Sequence, residues 1–409
     1  MMRLCFLTVF PLVVSVAMAP AADWPRFRGP NGTGIATGPL PTINPQAPLW
    51  KTELPGKGNG SPIVVNGKVY LQAASEDGSQ RYLVCVDAAS GKIEWTKEQP
   101  GAKGKTHAKN SLASGTPASD GTRLYCQWWD GSGVSLHAYD LSGKELWRAS
   151  LGSYVSQHGP GFSPMVHNGL VFVNVDDDQH AELIAFDAKT GDKRWIADRK
   201  HYRACYPTPF LLERPGQPAE LILGTTTALT SYDPQTGNKN WEYILTWPKG
   251  EMPLRVIGHP VFVAGLVVLY CGDGGGSRYM VAVDPNGKKP TKVWELKKDT
   301  PYVPCVLVKE AHLFWIGDKG TASCADGKTG KTVWTERIFG GDVTASPVMI
   351  DDTIIMISEK GEIAALKAAT AFEEPTKVNL GEKVMATPAV ANGTLFIRGE
   401  KHLFAFGRK

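Results

Sequence analysis

Short apolar runs alternate with polar, glycine-bearing turns along nearly the whole chain. The stretch from residue 61 sets the grammar. Ser61-Pro-Ile-Val-Val reads as a first strand, and Asn66-Gly67 as a two-residue hairpin turn, since both residues tolerate positive φ. Lys68-Val-Tyr-Leu-Gln-Ala is a second strand, followed by the polar loop Ser75–Gln80. Tyr82-Leu-Val-Cys-Val is a third strand. After the turn Asp87-Ala-Ala-Ser-Gly91, a fourth begins with Lys92-Ile-Glu-Trp95.

The four-strand unit recurs in two registers. Inner strands are marked by a proline at Ser61-Pro62, Thr116-Pro117, Ser163-Pro164, Thr208-Pro209, His259-Pro260, Val303-Pro304, Ser346-Pro347 and Thr387-Pro388, at spacings of 41 to 55 residues. Outer strands are marked by an Asp…Gly turn followed by tryptophan: Trp95, Trp147, Trp195, Trp241, Trp294 and Trp334. A repeat of this length, with four strands per period and eight periods, predicts an all-β, eight-bladed propeller of four-stranded antiparallel blades. Regular strand spacing alone would also permit two stacked sandwiches, but two independent eightfold registers do not. The eighth unit ends at Lys409 with three strands. Its missing outer strand is at the other end of the chain, as Leu49-Trp50-Lys51-Thr52-Glu53. An N-terminal strand completing the last blade would remove an exposed edge and close the ring. Asn379 stands where the seventh unit should carry its tryptophan, which predicts a weaker junction there.

Composition narrows the class. A length of 409 residues would allow two or three domains, but repeats that bury their faces on neighbours form one unit. Forty-four Gly and 29 Pro suit a turn-rich fold, and a formal charge of +4 with scattered basic residues excludes a nucleic-acid partner. Arg3, the apolar stretch Leu4–Met18 and the small residues Ala17, Ala19, Ala21 and Ala22 read as an export leader cleaved after Ala21 or Ala22. This divides the chain into a leader (1–21), an arm (22–48) and the propeller (49–409), with a periplasmic or secreted monomer and no membrane span after cleavage. The six cysteines downstream, Cys85, Cys126, Cys205, Cys271, Cys305 and Cys324, fall too far apart around a ring to pair and are expected as buried thiols.

Function in such a ring belongs to the loops at one mouth. Four successive inter-blade loops carry His107, His158, His201 and His259, with Lys109, Tyr154, Gln157, Tyr202, Arg203 and Arg255 nearby. Their unequal distances from the following proline argue against a matched metal cluster. Asp176-Asp177-Asp178 with His180 reads as a solvated acidic loop before it reads as a Ca²⁺ site, and Gly272–Ser277 as a hairpin loop. Trp128-Trp129 occupies the loop end of a second strand and is a candidate stacking surface. The candidate mouth residues are therefore Trp128, Trp129, His158, His201, Arg255 and His259. No catalytic residue and no metal ligand is assigned. Trp24, Arg26 and Phe27 of the arm either plug the channel or lie along the blade faces.

The recurring phrase Asp-x-x-Thr-Gly-Lys-x-x-Trp resembles the tryptophan-docking repeat of pyrroloquinoline-quinone (PQQ)-like propellers over residues 50–409. The opening Trp24-Pro-Arg-Phe-Arg-Gly-Pro-Asn-Gly-Thr-Gly looks like the arm of secreted PQQ-like repeat proteins of planctomycete-type bacteria. The resemblance implies one of two functions. One is a non-catalytic binding or scaffold propeller, like the propeller lipoprotein of the outer-membrane β-barrel assembly machinery, with a protein or polysaccharide partner. The alternative is a quinoprotein alcohol or sugar dehydrogenase using PQQ and Ca²⁺. The chain lacks the adjacent-cysteine pair found in many of the dehydrogenases and the lipobox cysteine of the lipoprotein. These features favour the binding reading without a lipid anchor.

Overall fold

The structure is a computed structural model describing residues 23–287 and 289–408, so the leader lies outside the described residues. Eight antiparallel sheets form a ring of blades. In the first, Ile63–Val65, Lys68–Ala74, Gln80–Asp87 and Ile93–Pro100 pair in chain order from the axis outward. Second strands are buried end to end, as in Leu170–Asp176, because each is covered on both faces by neighbouring blades. Outer strands are half exposed. The apolar clusters follow the same logic: each lies between adjacent blades, and one runs continuously through the seventh, eighth and first. Ring closure is as the strand count requires: Trp50–Glu53 pairs with His402–Phe406, Trp50 opposite Ala405. The six cysteines are buried and free.

Blades are keyed to one another by the outer tryptophans. In six blades the pairing of third and fourth strands skips one residue immediately before the indole: Glu94, Leu146, Arg194, Asn240, Val293 and Val333. Such a bulge turns the next side chain out of the strand's ordinary alternation and towards the neighbouring blade. There the indole N–H usually donates to a turn carbonyl: Trp50 to Ala88 at 3.0 Å, Trp147 to Ala188 at 3.2 Å, Trp195 to Pro234 at 3.2 Å, Trp294 to Gly327 at 3.0 Å and Trp334 to Ala369 at 3.0 Å. The ring itself lies on the turn's left-handed glycine. A Cβ at Gly91, Gly191, Gly237 or Gly330 would meet indole atoms at 2.5–2.6 Å.

Two junctions depart from this rule. In the seventh blade Asn379 lies in a fully exposed strand, Thr376–Asn379, whose register has no bulge. The apolar cluster inside it remains continuous, so only the outer rim of that junction is thinned. The second departure is between the fourth and fifth blades. Trp241 donates to Glu220 of its own blade at 2.6 Å, and a Cβ at Gly287 would meet nothing within 4 Å among the described residues. Trp247 substitutes, packing edge-on against Tyr279 of the fifth blade with centroids 5.6 Å apart.

The inner rim carries a second key. At five positions the residue before the marker proline accepts, through its hydroxyl, the backbone N–H of its counterpart one blade earlier. Ser61 donates to Thr116, Thr116 to Ser163, Cys305 to Ser346, Ser346 to Thr387, and Thr387 back to Ser61, at 2.9–3.1 Å. This belt corrects the sixth marker. Cys305-Val306, not Val303-Pro304, occupies the register position, and its strand is Leu307–Lys309. A residue with an N–H is tolerated in the proline slot because Val306 N–H finds the Tyr270 hydroxyl at 3.3 Å.

The arm closes one end of the channel. Trp24 pairs with Val64, and Ser119 N–H bonds to Pro25 O at 2.8 Å. Arg26 reaches Pro209 O at 2.7 Å, and Asn31 makes a two-way bond with Leu211. Arg28 is fully buried and bonds to carbonyls of Val306 and Pro347 at 2.9 and 3.2 Å. Ile35–Ala36 then adds a parallel strand inside the seventh blade. The arm therefore ties together the inner rims of several blades. It crosses the side bearing the hairpin turns and leaves the opposite mouth open.

The glycine seats give a direct test. Gly330→Ala should cost about 2–4 kcal/mol, from left-handed strain plus a clash with Trp294. Gly287→Ala, strained but unobstructed, should cost about 1 kcal/mol. Urea midpoints of the two variants measure the difference. Equal losses would mean that the indole does not need its seat.

Candidate functional site

At the open mouth the plug and the hydroxyl belt leave a blind cavity of about 420 Å³. Every blade contributes to its wall because the loops entering the inner strands converge there. Phe27 of the arm lies in the floor, with Ser61, Thr116, Ser163, Ser346 and Thr387 of the belt and Thr208 around it. The volume is in the lower part of the range of about 300–1,000 Å³ typical of small-molecule sites.

Charged side chains above this floor are largely engaged with one another. Lys109, from the loop into the second blade, crosses the mouth to Asp342 and Glu359 of the seventh, 2.8 Å from each. Thr344 donates to the same Glu359 oxygen at 2.6 Å, and Lys319 reaches Asp342 at 2.9 Å. Burial works against the Lys109 ammonium, but the two carboxylates hold its pKa above the ordinary value. Bonds from Lys109 and Lys319 bring Asp342 down to about 2. On the opposite wall Asp318 accepts the N–H groups of Tyr302 and Val303 at 3.1 and 3.0 Å and the Arg278 guanidinium at 3.2 Å. Arg278 also lies over the Tyr302 ring, 5.3 Å from its centroid.

The residues singled out from the sequence separate here. His158 and Arg255 line the cavity, as do His107 and Lys109. The imidazoles of His107 and His158 lie 5.0 Å apart, and Arg255 Nη1 is 3.4 Å from His158 Nε2. Burial first, then the charge of Arg255, lowers the His158 pKa to about 4. His259 sits beneath the floor, stacked on Phe210 at 6.2 Å and edge-on to Phe27, with Nδ1 bonded to Pro260 O. Burial lowers its pKa to about 3. It seats the plug and does not face the mouth. His201 is half-buried and outside the lining. Trp128 and Trp129 do not present a stacking surface. Both are buried between blades, Trp128 bonding Tyr139 at 3.1 Å and Trp129 filling the space left by Gly104. Nor is the acidic run solvated: Asp176 and Asp177 are wholly buried. Asp176 is clasped by Arg199, and Asp177 accepts the backbone N–H groups of Val155, Gln179 and His180.

Asn59, Tyr206, Tyr302, Arg278 and Asp318 carry no sequence signal strong enough to single them out beforehand.

Ring, plug and polar blind mouth together define a tryptophan-docked eight-bladed propeller with its loops on one open face. The chain belongs to the PQQ-like repeat family described as outer membrane protein assembly factor BamB, whose profile matches residues 42–112 and 81–336. Solved structures share the fold. BamB from Moraxella catarrhalis is 14% identical, covering 88% of this chain and 99% of that one, with a TM-score of 0.65. A europium-containing methanol dehydrogenase is 13% identical, covering 95% and 98%, with a TM-score of 0.70. Quinohemoprotein alcohol dehydrogenase from Comamonas testosteroni is 14% identical, covering 95% and 81%, with a TM-score of 0.64. No curated protein sequence matches the chain.

The quinone named in one of these neighbours and the metal named in another can be tested against the residues present. No tryptophan lines the cavity, so a planar ring system has no indole floor. The acids of the lining are Asp273 and Asp318, and both Asp318 oxygens are already engaged. Among the described residues no group of three or more His, Cys, Asp or Glu is placed to hold a metal ion. The lining does not fit a quinone with its metal, and no reaction step is derived through them.

The depressed histidines make a pH prediction. His158 and His259 titrate near 4 and 3 when folded, against about 6.5 unfolded. Between those limits the unfolded chain binds more protons, so stability falls as pH drops from about 6.5. Below about 4 protonation of Asp342 adds to the loss. His158→Gln should flatten the decline between pH 6.5 and 4 in thermal melts. An imidazole resonance of His158 titrating at 6 or above would contradict the assignment.

Proposed function

We propose that the protein is an exported, non-catalytic binding propeller that presents its open loop face to a protein partner. The observation that carries this reading is on the mouth loops. Three successive inter-blade connections each expose a large apolar side chain: Val155 at 42%, Tyr202 at 55% and Met252 at 56%. Large apolar groups on polar loops are what a protein surface offers to a partner. Membership of the BamB-described family supports the same reading. The polysaccharide partner considered from the sequence loses its support, because it rested on Trp128 and Trp129. Among the described residues no helix is long and apolar enough to cross a membrane. The leader read from residues 1–21 directs the chain to the periplasm or beyond.

A photo-crosslinker at Tyr202 or Gln157 should yield one discrete protein adduct in cells. The same group at Lys92 or Lys331, on the turns of the opposite side, should not. Tyr202→Asp combined with Met252→Asp should reduce the adduct at Gln157 at least several-fold. The quinoprotein reading is tested separately, by adding PQQ and Ca²⁺ and measuring dye reduction over alcohols and sugars. Turnover there, or adducts of equal strength from both sides, would refute the proposal.

A further inference from the structure

The interior of the cavity has a feature that the exposed loops do not explain. Arg255 is 4% exposed and lies in the cavity wall. Its position is set by the backbone, because Arg255 and Gly272 form a two-way bridge and Nε donates to Ala204 O at 2.8 Å. Nη1 has a long 3.4 Å approach to His158, the Tyr302 hydroxyl interacts with the guanidinium, and Nη2 has no acceptor among the described residues. Lys109, Lys319 and Arg278 of the same lining each hold a carboxylate. None of the ion pairs among the described residues includes Arg255.

A buried guanidinium without a counter-charge is costly, so one unpaired N–H₂ group facing a cavity marks a place for an anion. Other buried arginines lie outside the cavity lining, among them Arg398, whose Nε and Nη2 also lack acceptors among the described residues. Arg28 lies in the plug, bonded to four carbonyls, and Arg81 is bonded to carbonyls of Gly78, Gln80, Ala102 and Trp129. His158 cannot supply a second charge near neutral pH, since burial and Arg255 keep it unprotonated. Arg203, outside the lining, also has unpartnered Nε and Nη2, but the one free N–H₂ group that Arg255 offers to the cavity suits a single carboxylate. The lining also offers Tyr206, Ile257 and Tyr302, with Phe27 in the floor, as contacts for an apolar or aromatic body, beside polar groups that include Asp273. We infer that the blind cavity is a binding site for an organic monocarboxylate, whose carboxylate meets Arg255 while its apolar part lies between the tyrosines and Phe27. The carboxylate has two possible sources, a free acid or the terminus of a partner chain inserted through the mouth. The site does not depend on the partner proposed above.

The full chain is tested by thermal shift and calorimetric titration at pH 7. The probes are acetate, hexanoate, benzoate and phenylacetate, each beside its amide, and a short peptide with a free or amidated C-terminus. At least one carboxylate should bind saturably at one site while its amide does not. Preference for the small acids or for the free-terminus peptide identifies the source. Arg255→Gln should weaken that binding roughly ten- to a hundredfold, the value of a charged hydrogen bond. If Arg255→Gln does not fold, Ile257→Trp, which fills the cavity and keeps the guanidinium, must abolish binding. The inference is overturned if no probe shows carboxylate-dependent binding. It is equally overturned if a folded Arg255→Gln, or in its absence Ile257→Trp, binds as the unaltered chain does.

Discussion

The contact on which the ring depends is an indole laid flat on a left-handed glycine of the next blade. Each half of it constrains the other. The turn needs φ near +73° at Gly91 and Gly330, which only glycine adopts without strain, and the ring above leaves no room for a Cβ. At Trp147, Trp195 and Trp294 the bulge before the tryptophan delivers the indole to that seat, whereas Trp50 reaches Gly91 from the first residue of its strand. Because the contact links blade to blade, it sets their spacing and, repeated, their number. The hydroxyl belt performs the same service at the inner rim, where curvature is tightest and backbone N–H groups must find acceptors without a further strand.

Two sectors escape the rule and each is compensated differently. At Asn379 the rim is open while the continuous apolar cluster of the seventh, eighth and first blades holds the junction. Between the fourth and fifth blades Trp241 turns back to Glu220, and Trp247 with Tyr279 takes its place. The hydroxyl belt joins the first to third and the sixth to first blades, and in the remaining sector the arm seats Arg26 and Asn31 on the fourth blade and Phe27 against His259 of the fifth. Rim contacts and plug thus complement each other around the axis.

The plug also shapes the chemistry of the mouth. A through-channel would leave the polar lining in water. With Phe27 below, Arg255 and His158 are desolvated, which is why one imidazole stays neutral and one guanidinium lacks a counter-charge. Lys109 spanning to Asp342 and Glu359 ties opposite walls together above them. Exposed apolar loops outside and an unpaired cation within are separate features of one face.

Fold class, blade count and the borrowed strand at Trp50 are legible in the chain, because strand alternation, turn glycines and tryptophans are local signals repeated at a regular interval. So is the gap at Asn379. Proline places the sixth marker two residues early, because the hydroxyl position defines the register and Cys305 occupies it. Trp128 and Trp129 read as a surface because loop ends are commonly exposed, and whether neighbouring blades cover them is a tertiary matter. The same holds for Asp176 with Arg199, for Lys109 with residues more than 230 positions away, and for the unpaired Nη2 of Arg255. Periodic contacts between adjacent units leave a periodic trace in sequence. Contacts across the axis join loops of unrelated length and composition, so only the closed ring decides which charges meet.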